Sequence, residues 1–224
     1  MINKISARYK VKKAHKVKRY SRNKTTIPFR KQAGYRKVDK CITFFGKHIG
    51  YIEDVPAYSN CDNSVESNIH NIVNHNDVNI YSGIQWQCVE YVRRYLITKI
   101  GVTFGSVVGA EDVFTLKTVK SIKNGREYTF KTFKNGINCK KEDLPKVNDV
   151  IIWARNETDT PYGHIATILK TEGNRIFIGE QNWSNDLWMS PSYSRILILN
   201  TNMNRCTIED RGYIILGWKR VIIE

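Results

Sequence analysis

The sequence predicts an α+β domain, with helices early in the chain packed on an antiparallel sheet of about five to six strands. Two observations carry this. Apolar residues recur at three- and four-residue steps from Trp86 to Ile100 and at steps of three from Ala110 to Ile122, which are helical spacings. From residue 149 onward, apolar residues instead alternate with polar ones in short β-branched runs separated by turn residues. Helices followed by a run of strands make a segregated α+β order.

The elements follow in sequence. Cys41 to Tyr58 reads as short strands around Gly46 and Gly50. Residues 59–79 are rich in Asn and Ser and read as a loop with one weak helix near Val65 to Val73. His70 and His75 fall there, at a separation matching neither a helical face nor a metal motif, and are read as surface histidines; no metal or other cofactor is expected. Val89, Val92, Leu96 and Ile100 give the first helix one core face, Ser82-Gly83 supplies the turn before it, and Gly101 is its C-cap. Val113, Leu116, Val119 and Ile122 line up a second helix. Residues 124–148 form a polar connector with a short strand at Tyr128 to Phe133. Strands then run at Asp149 to Ala154, in a hairpin between Gly163 and Asn182, at Arg195 to Leu199 and at Tyr213 to Val221.

Length and charge divide the chain. Its 224 residues, 41% of them hydrophobic, suffice for one sizeable domain with extensions. Residues 1–40 carry 15 Lys and Arg against a single acid, Asp39, a net of +14, while the remainder carries 21 basic and 20 acidic residues. The domain is therefore assigned to 41–224, and 1–40 to a basic, flexible tail that could bind nucleic acid, an anionic membrane surface or a wall polymer. The start of the chain has no apolar signal region, and no apolar run is long enough for a transmembrane helix. Five cysteines at irregular spacing, without a CxxC pair, favour reduced thiols over a disulfide framework, so a cytoplasmic or virion location is expected.

The chemistry centres on YSGIQWQCVEYVRRY, residues 81–95. Cys88 falls in the first helical turn, beside unpaired backbone N–H groups and the positive end of the helix dipole, which stabilise negative charge on sulfur. A nucleophilic thiol needs a base and the base an orienting group. GHIATILKTEGNRIFIGEQN, residues 163–182, offers both as a hairpin in which His164, Ala166 and Ile168 share one face, and Ile176, Ile178, Glu180 and Asn182 share another. A three- or five-residue loop would bring His164 to the face of Glu180 and Asn182; a two-residue loop would put them on opposite faces.

The segments WQCVEYVRRYL, GHIA, GEQNW and ILGWK, together with FGKHIGY and NDVIIW, resemble the CHAP family of cysteine amidases, and more narrowly the amidase domain of bifunctional glutathionylspermidine synthetase/amidase. The resemblance covers roughly Cys41 to Ile223. It implies a papain-like fold, Cys88 as nucleophile, His164 as base and Glu180 as its orienter. It further implies that Gln87 helps hold the oxyanion, that Arg93 lies close to the thiol and that Asn182 lines the site. Helical geometry alone does not aim Arg93 at Cys88, which lies about 140° away around the helix. No ATP-using synthetase half is expected, which leaves amide cleavage, on a small amide of the glutathionylspermidine kind or on peptidoglycan peptides. The competing expectation is a non-enzymatic virion or nucleic-acid-associated protein that uses the basic tail on an amidase-like scaffold.

Overall fold

The computed structural model describes residues 41–202 and 204–223, so the basic tail assigned to 1–40 lies outside the described residues. The strands are β1 His48–Ile52, β2 Val55–Tyr58, β3 His70–His75, β4 Val78–Ile84, β5 Val102–Thr103, β6 Thr118–Ser121, β7 Glu127–Lys134, β8 Ile137–Asn138, β9 Val150–Trp153, β10 His164–Glu172, β11 Arg175–Gly179, β12 Arg195–Asn202, β13 Arg205–Glu209 and β14 Ile215–Ile222. One α-helix, α1 Cys88–Ile100, is present among the described residues. Ten strands form a single antiparallel sheet in the order β5-β6-β7-β14-β9-β10-β11-β12-β13-β8, and β1-β2 and β3-β4 are separate hairpins.

This corrects the α+β expectation of two helices on five to six strands: the chain is predominantly β, with one α-helix on a ten-stranded sheet. The second helix is absent for a physical reason. A strict three-residue step fits the 3.0-residue turn of a 3-10 helix, and Ala110–Thr115 is one. Leu116 then turns extended, at φ −61 and ψ 140, and Thr118–Ser121 continues as β6 with alternate residues buried. The weak helix near Val65 to Val73 is instead β3, which turns into β4 through Asn76 and Asp77, both at positive φ, as a two-residue hairpin turn requires. Ser82-Gly83 lies inside β4.

Alternation along the central strands builds two cores. Val150, Ile152 and Ile165 pack under α1 with Tyr91, Val92 and Leu96, while Ile151, Trp153, Ala166, Ile168 and Trp218 pack on the opposite face. Helix α1 is not the one-faced amphipathic helix its spacing suggests. Every residue from Glu90 to Ile97 is buried, because the β3-β4 hairpin and residues near Pro56 and Gln181 cover its charged side. Glu90 accepts hydrogen bonds there from Arg94, Ser82, Asn71 and Gln181, which is what makes a buried carboxylate tolerable. Gly101 caps α1 at φ 72, as expected.

The cysteines also differ from expectation. Cys41–Cys61 and Cys139–Cys206 are disulfides, and Cys88 is the free thiol. Spacing in sequence hides what folding achieves, Cα separations of 4.6 and 5.8 Å, both within disulfide reach. The cysteine count therefore no longer argues for a reducing compartment. No helix of the described residues is long and apolar enough to cross a membrane.

Candidate active site

Gln87 is the N-cap of α1, in extended backbone at φ −75 and ψ 157, and Cys88 is the first helical residue. The half-buried thiol opens into a cavity of about 480 Å³. His164 opens β10 across that cavity, 2% exposed. The residue before it must be glycine: Gly163 sits at φ 75, and a Cβ there would lie 2.7 Å from the Trp153 carbonyl oxygen and 3.0 Å from the Glu111 amide nitrogen.

The hairpin turn has the wrong parity, and the strand corrects it. Glu172 pairs with Arg175 across a two-residue turn, which by itself would place His164 and Glu180 on opposite faces. A register shift between Ile168 and Lys170 inserts one residue, and beyond it Ile168 pairs with Ile178 and Thr167 with Gly179. The bulge returns His164 to the face of Glu180, whose Oε2 lies 2.9 Å from His164 Nε2. That bond leaves Nδ1 for the thiol.

Electrostatics bind the three groups together. Burial disfavours the imidazolium of His164, but hydrogen bonding to Cys88 and to Glu180, with the charge attraction of both, outweighs it and raises the imidazole to about 9. Burial likewise opposes ionisation of Glu180, yet the hydrogen bond from His164 and the charge of Arg195 hold it down at about 2. Arg195 donates through Nε to Glu180 Oε1 at 2.6 Å, and through one terminal nitrogen to both oxygens of Asp210 at 3.1 and 3.0 Å. Ser194 Oγ adds a bond to Glu180 Oε1, and Trp153 Nε1 one to Asp210 Oδ2. The Trp183 ring lies between His164, at 4.6 Å, and the Arg195 guanidinium, at 4.4 Å. Sequence reading missed Arg195 and Asp210; only the ladder, in which Ile178 pairs with Arg195, brings that arginine to the carboxylate.

On the other side of the thiol lie neutral amides. Gln87 Nε2 donates to the Val65 carbonyl at 2.9 Å, and Gln87 Oε1 accepts from Asn182 Nδ2 at 2.8 Å. Asn182 Oδ1 accepts in turn from Asn60 Nδ2, whose own Oδ1 accepts from the Trp86 amide. Asn60 was not singled out in the sequence; it lies in a stretch read as plain loop. Arg93, buried, lines the cavity as Cys88 does and donates to the carbonyls of Ser82, Phe104 and Gly105. The folded chain thus brings Cys88, His164, Glu180, Gln87, Asn182 and Arg93 to one locality, whereas His70 and His75 lie on the β3-β4 hairpin and do not line the cavity.

Residues 79–182 match the family described as the CHAP domain. Among curated proteins, the chain is 30% identical over 141 residues to bifunctional glutathionylspermidine synthetase/amidase of Escherichia coli (strain K12), covering 62% of this chain and 22% of that protein. It is 31% identical over 167 residues to trypanothione synthetase of Crithidia fasciculata, covering 74% of this chain and 24% of the relative. Glutathionylspermidine synthase of the same organism is 28% identical over 142 residues. The chain spans less than a quarter of the length of each relative.

Proposed function

Since this chain carries a CHAP domain over residues 79–182, we propose that it is a hydrolase that cleaves an amide bond through the Cys88 thiol. The observation that carries the reading is His164, held between Cys88 and Glu180 and raised to about 9 by both. An imidazole raised in this way holds a proton through neutral pH beside the sulfur, ready for the departing nitrogen of an amide.

The steps follow from the positions. The Cys88 thiolate adds to the amide carbonyl carbon, and the carbonyl electrons move to oxygen. The Cys88 backbone N–H, free at the helix start, and the second N–H of Gln87 Nε2 stabilise that oxyanion. His164 gives its proton to the departing nitrogen as the C–N bond breaks, leaving a thioester. His164 then takes a proton from water as the water oxygen attacks the thioester; the C–S bond breaks, releasing a carboxylic acid and restoring the Cys88 thiolate beside protonated His164. Glu180 keeps the imidazole oriented and charged, and Arg195 keeps Glu180 ionised. Asn182 fixes the Gln87 amide, so its role is positioning.

The substrate class proposed first is a small amide of the glutathionylspermidine kind, which the names of the relatives support; a peptidoglycan peptide is the second candidate within the same chemistry. The test is product release from glutathionylspermidine, related γ-glutamyl or glycyl amides and purified peptidoglycan by the full chain, with Cys88→Ala and His164→Ala beside it. Turnover of one of these by the native chain and its loss in both variants is the expected result. Turnover that survives Cys88→Ala overturns the mechanism. The basic segment 1–40 is proposed as an arm for an anionic polymer, measured by salt-dependent DNA and vesicle binding with and without it.

A further inference from the structure

The neutral side of the thiol turns on one residue that lies behind the cavity wall. Asn60 is fully buried and does not line the space over Cys88, yet through one intermediary each it reaches both ends of the Gln87 amide. Asn60 Nδ2 donates to the Val65 carbonyl at 2.8 Å, the same oxygen to which Gln87 Nε2 donates at 2.9 Å. Asn60 Nδ2 also donates to Asn182 Oδ1 at 3.1 Å, and Asn182 Nδ2 in turn donates to Gln87 Oε1 at 2.8 Å. A closed ring of hydrogen bonds therefore holds the Gln87 amide by its nitrogen and by its oxygen.

A further bond fixes the backbone from which that side chain springs. Asn60 Oδ1 accepts from the Trp86 N–H, one residue before Gln87, at 3.1 Å. Asn60 thus turns its nitrogen toward oxygens, the Asp62 carbonyl at 3.0 Å included, and its oxygen toward an N–H. A side-chain amide offers both from one short stem. A carboxylate lacks the hydrogens, and an apolar residue leaves the buried Trp86 N–H unpaired. Asn60 is itself clamped: its backbone N–H donates to Asn185 Oδ1 at 2.8 Å, Ser59 Oγ donates to the Thr43 carbonyl, and Cys61 is bound to Cys41.

We propose that Asn60 is the positioning residue of the Gln87 oxyanion donor, aiming the second hydrogen of Gln87 Nε2 at the carbonyl oxygen without itself touching substrate. This rests on the amide-cleavage reading above, to which it adds the residue that aims the donor. A donor fixed before the reaction stabilises the charge that develops on oxygen, and a small displacement forfeits much of that effect. Among the described residues no hydrogen bond joins His164 or the Glu180 carboxylate to this ring. Asn60 therefore governs acyl transfer and leaves the reactivity of the sulfur alone.

The experiment compares turnover with alkylation. The native full chain, Asn60→Asp and Asn60→Ala are assayed on the amide that the native chain cleaves, and Cys88 is alkylated with iodoacetamide, a displacement that uses the sulfur but no oxyanion donor. Both variants lower kcat about tenfold with KM little changed, while the rate of Cys88 alkylation and its pH profile stay as in the native chain. In a Gln87→Ala background the same substitutions lower kcat less than about twofold further, because the donor they would misplace is gone. Asn60→Asp keeps the acceptor for Trp86 and removes the hydrogens; should the buried carboxylate prevent folding, Asn60→Ala decides, with circular dichroism and Tm as the check on its fold. A native kcat in a folded variant, a loss that multiplies in full with that of Gln87→Ala, or an alkylation rate that falls in step with kcat overturns the positioning role while leaving amide cleavage intact. Absence of turnover by the native chain on every amide offered overturns the amide-cleavage reading, and the positioning role with it.

Discussion

The two sides of the thiol are built from different material. The His164 side is ionic: His164, Glu180, Arg195 and Asp210 form a continuous chain of alternating charge, buried at His164 and Glu180 and half-buried at Arg195 and Asp210, anchored on β10, the end of β11, β12 and the turn before β14. The Gln87 side is neutral: Gln87, Asn182 and Asn60 pass amide hydrogen bonds between the helix cap and two loops, and Cys61, next to Asn60, is tied to Cys41. The difference suits the proposed roles. An imidazole that is to hold a proton for a departing nitrogen is kept charged by paired ions on a rigid ladder. An oxyanion donor must be oriented without a permanent charge that would compete with the imidazolium for the sulfur.

The most severe break of this comparison removes the group both sides serve. Cys88→Ala is expected to cut turnover by about 10⁴-fold or more, with a Tm close to native as evidence that the cavity survives. Next comes the ionic side. Glu180→Gln leaves the buried His164 imidazolium without its carboxylate, while Arg195 keeps Asp210, and urea unfolding is expected to show a loss of about 3 kcal/mol. The neutral side should separate activity from stability: Gln87→Ala removes the proposed oxyanion donor and is expected to lower kcat by about 10²-fold, with a much smaller change in unfolding free energy. Cys41→Ser opens the 20-residue loop that steadies the neutral side, at an expected cost of about 3 kcal/mol in stability; an unaltered midpoint would mean that the amide network holds that loop unaided.

The pH dependence sharpens the contrast with the smallest effect. Glu180 is lowered from 4.5 to about 2, so its contribution to stability is present above pH 4.5 and is lost as pH falls toward 2. His164 is raised from 6.5 to about 9, so its contribution is full below pH 6.5 and is lost as pH rises through 9. Both are complete only between about pH 4.5 and 6.5, where Tm should be greatest. Because Cys88 supplies part of the upward pull on His164, Cys88→Ala should bring the alkaline loss of stability below pH 9. Gln87→Ala should leave it in place, and a profile that moves equally in both variants would show that the two sides are electrically coupled.

Much of the site was legible from residue type and spacing. A cysteine just before a helical repeat, a histidine after a glycine that opens a strand, and a glutamate on an apolar face each carry a local signature. What sequence hid was pairing over distance. Arg195 reads as any charge at the start of a strand until β12 is placed beside β11, and Asn60 reads as loop polarity until its two amide bonds are seen. The three-residue steps after Ala110 misled because 3-10 and α spacings overlap over so short a run.

By itself, then, the sequence determined the thiol on its helix, the glycine that frees the strand of the base, and the division of charge between residues 1–40 and the rest, since each depends on chemistry within a few residues. Only the tertiary structure decided that the sheet has ten strands, that four cysteines pair, and that His164 faces Glu180 at all. The turn at Gly173-Asn174 would have set them apart; one extra residue in β10 reverses the face, because side chains alternate along a strand and a shift of one exchanges inside for outside.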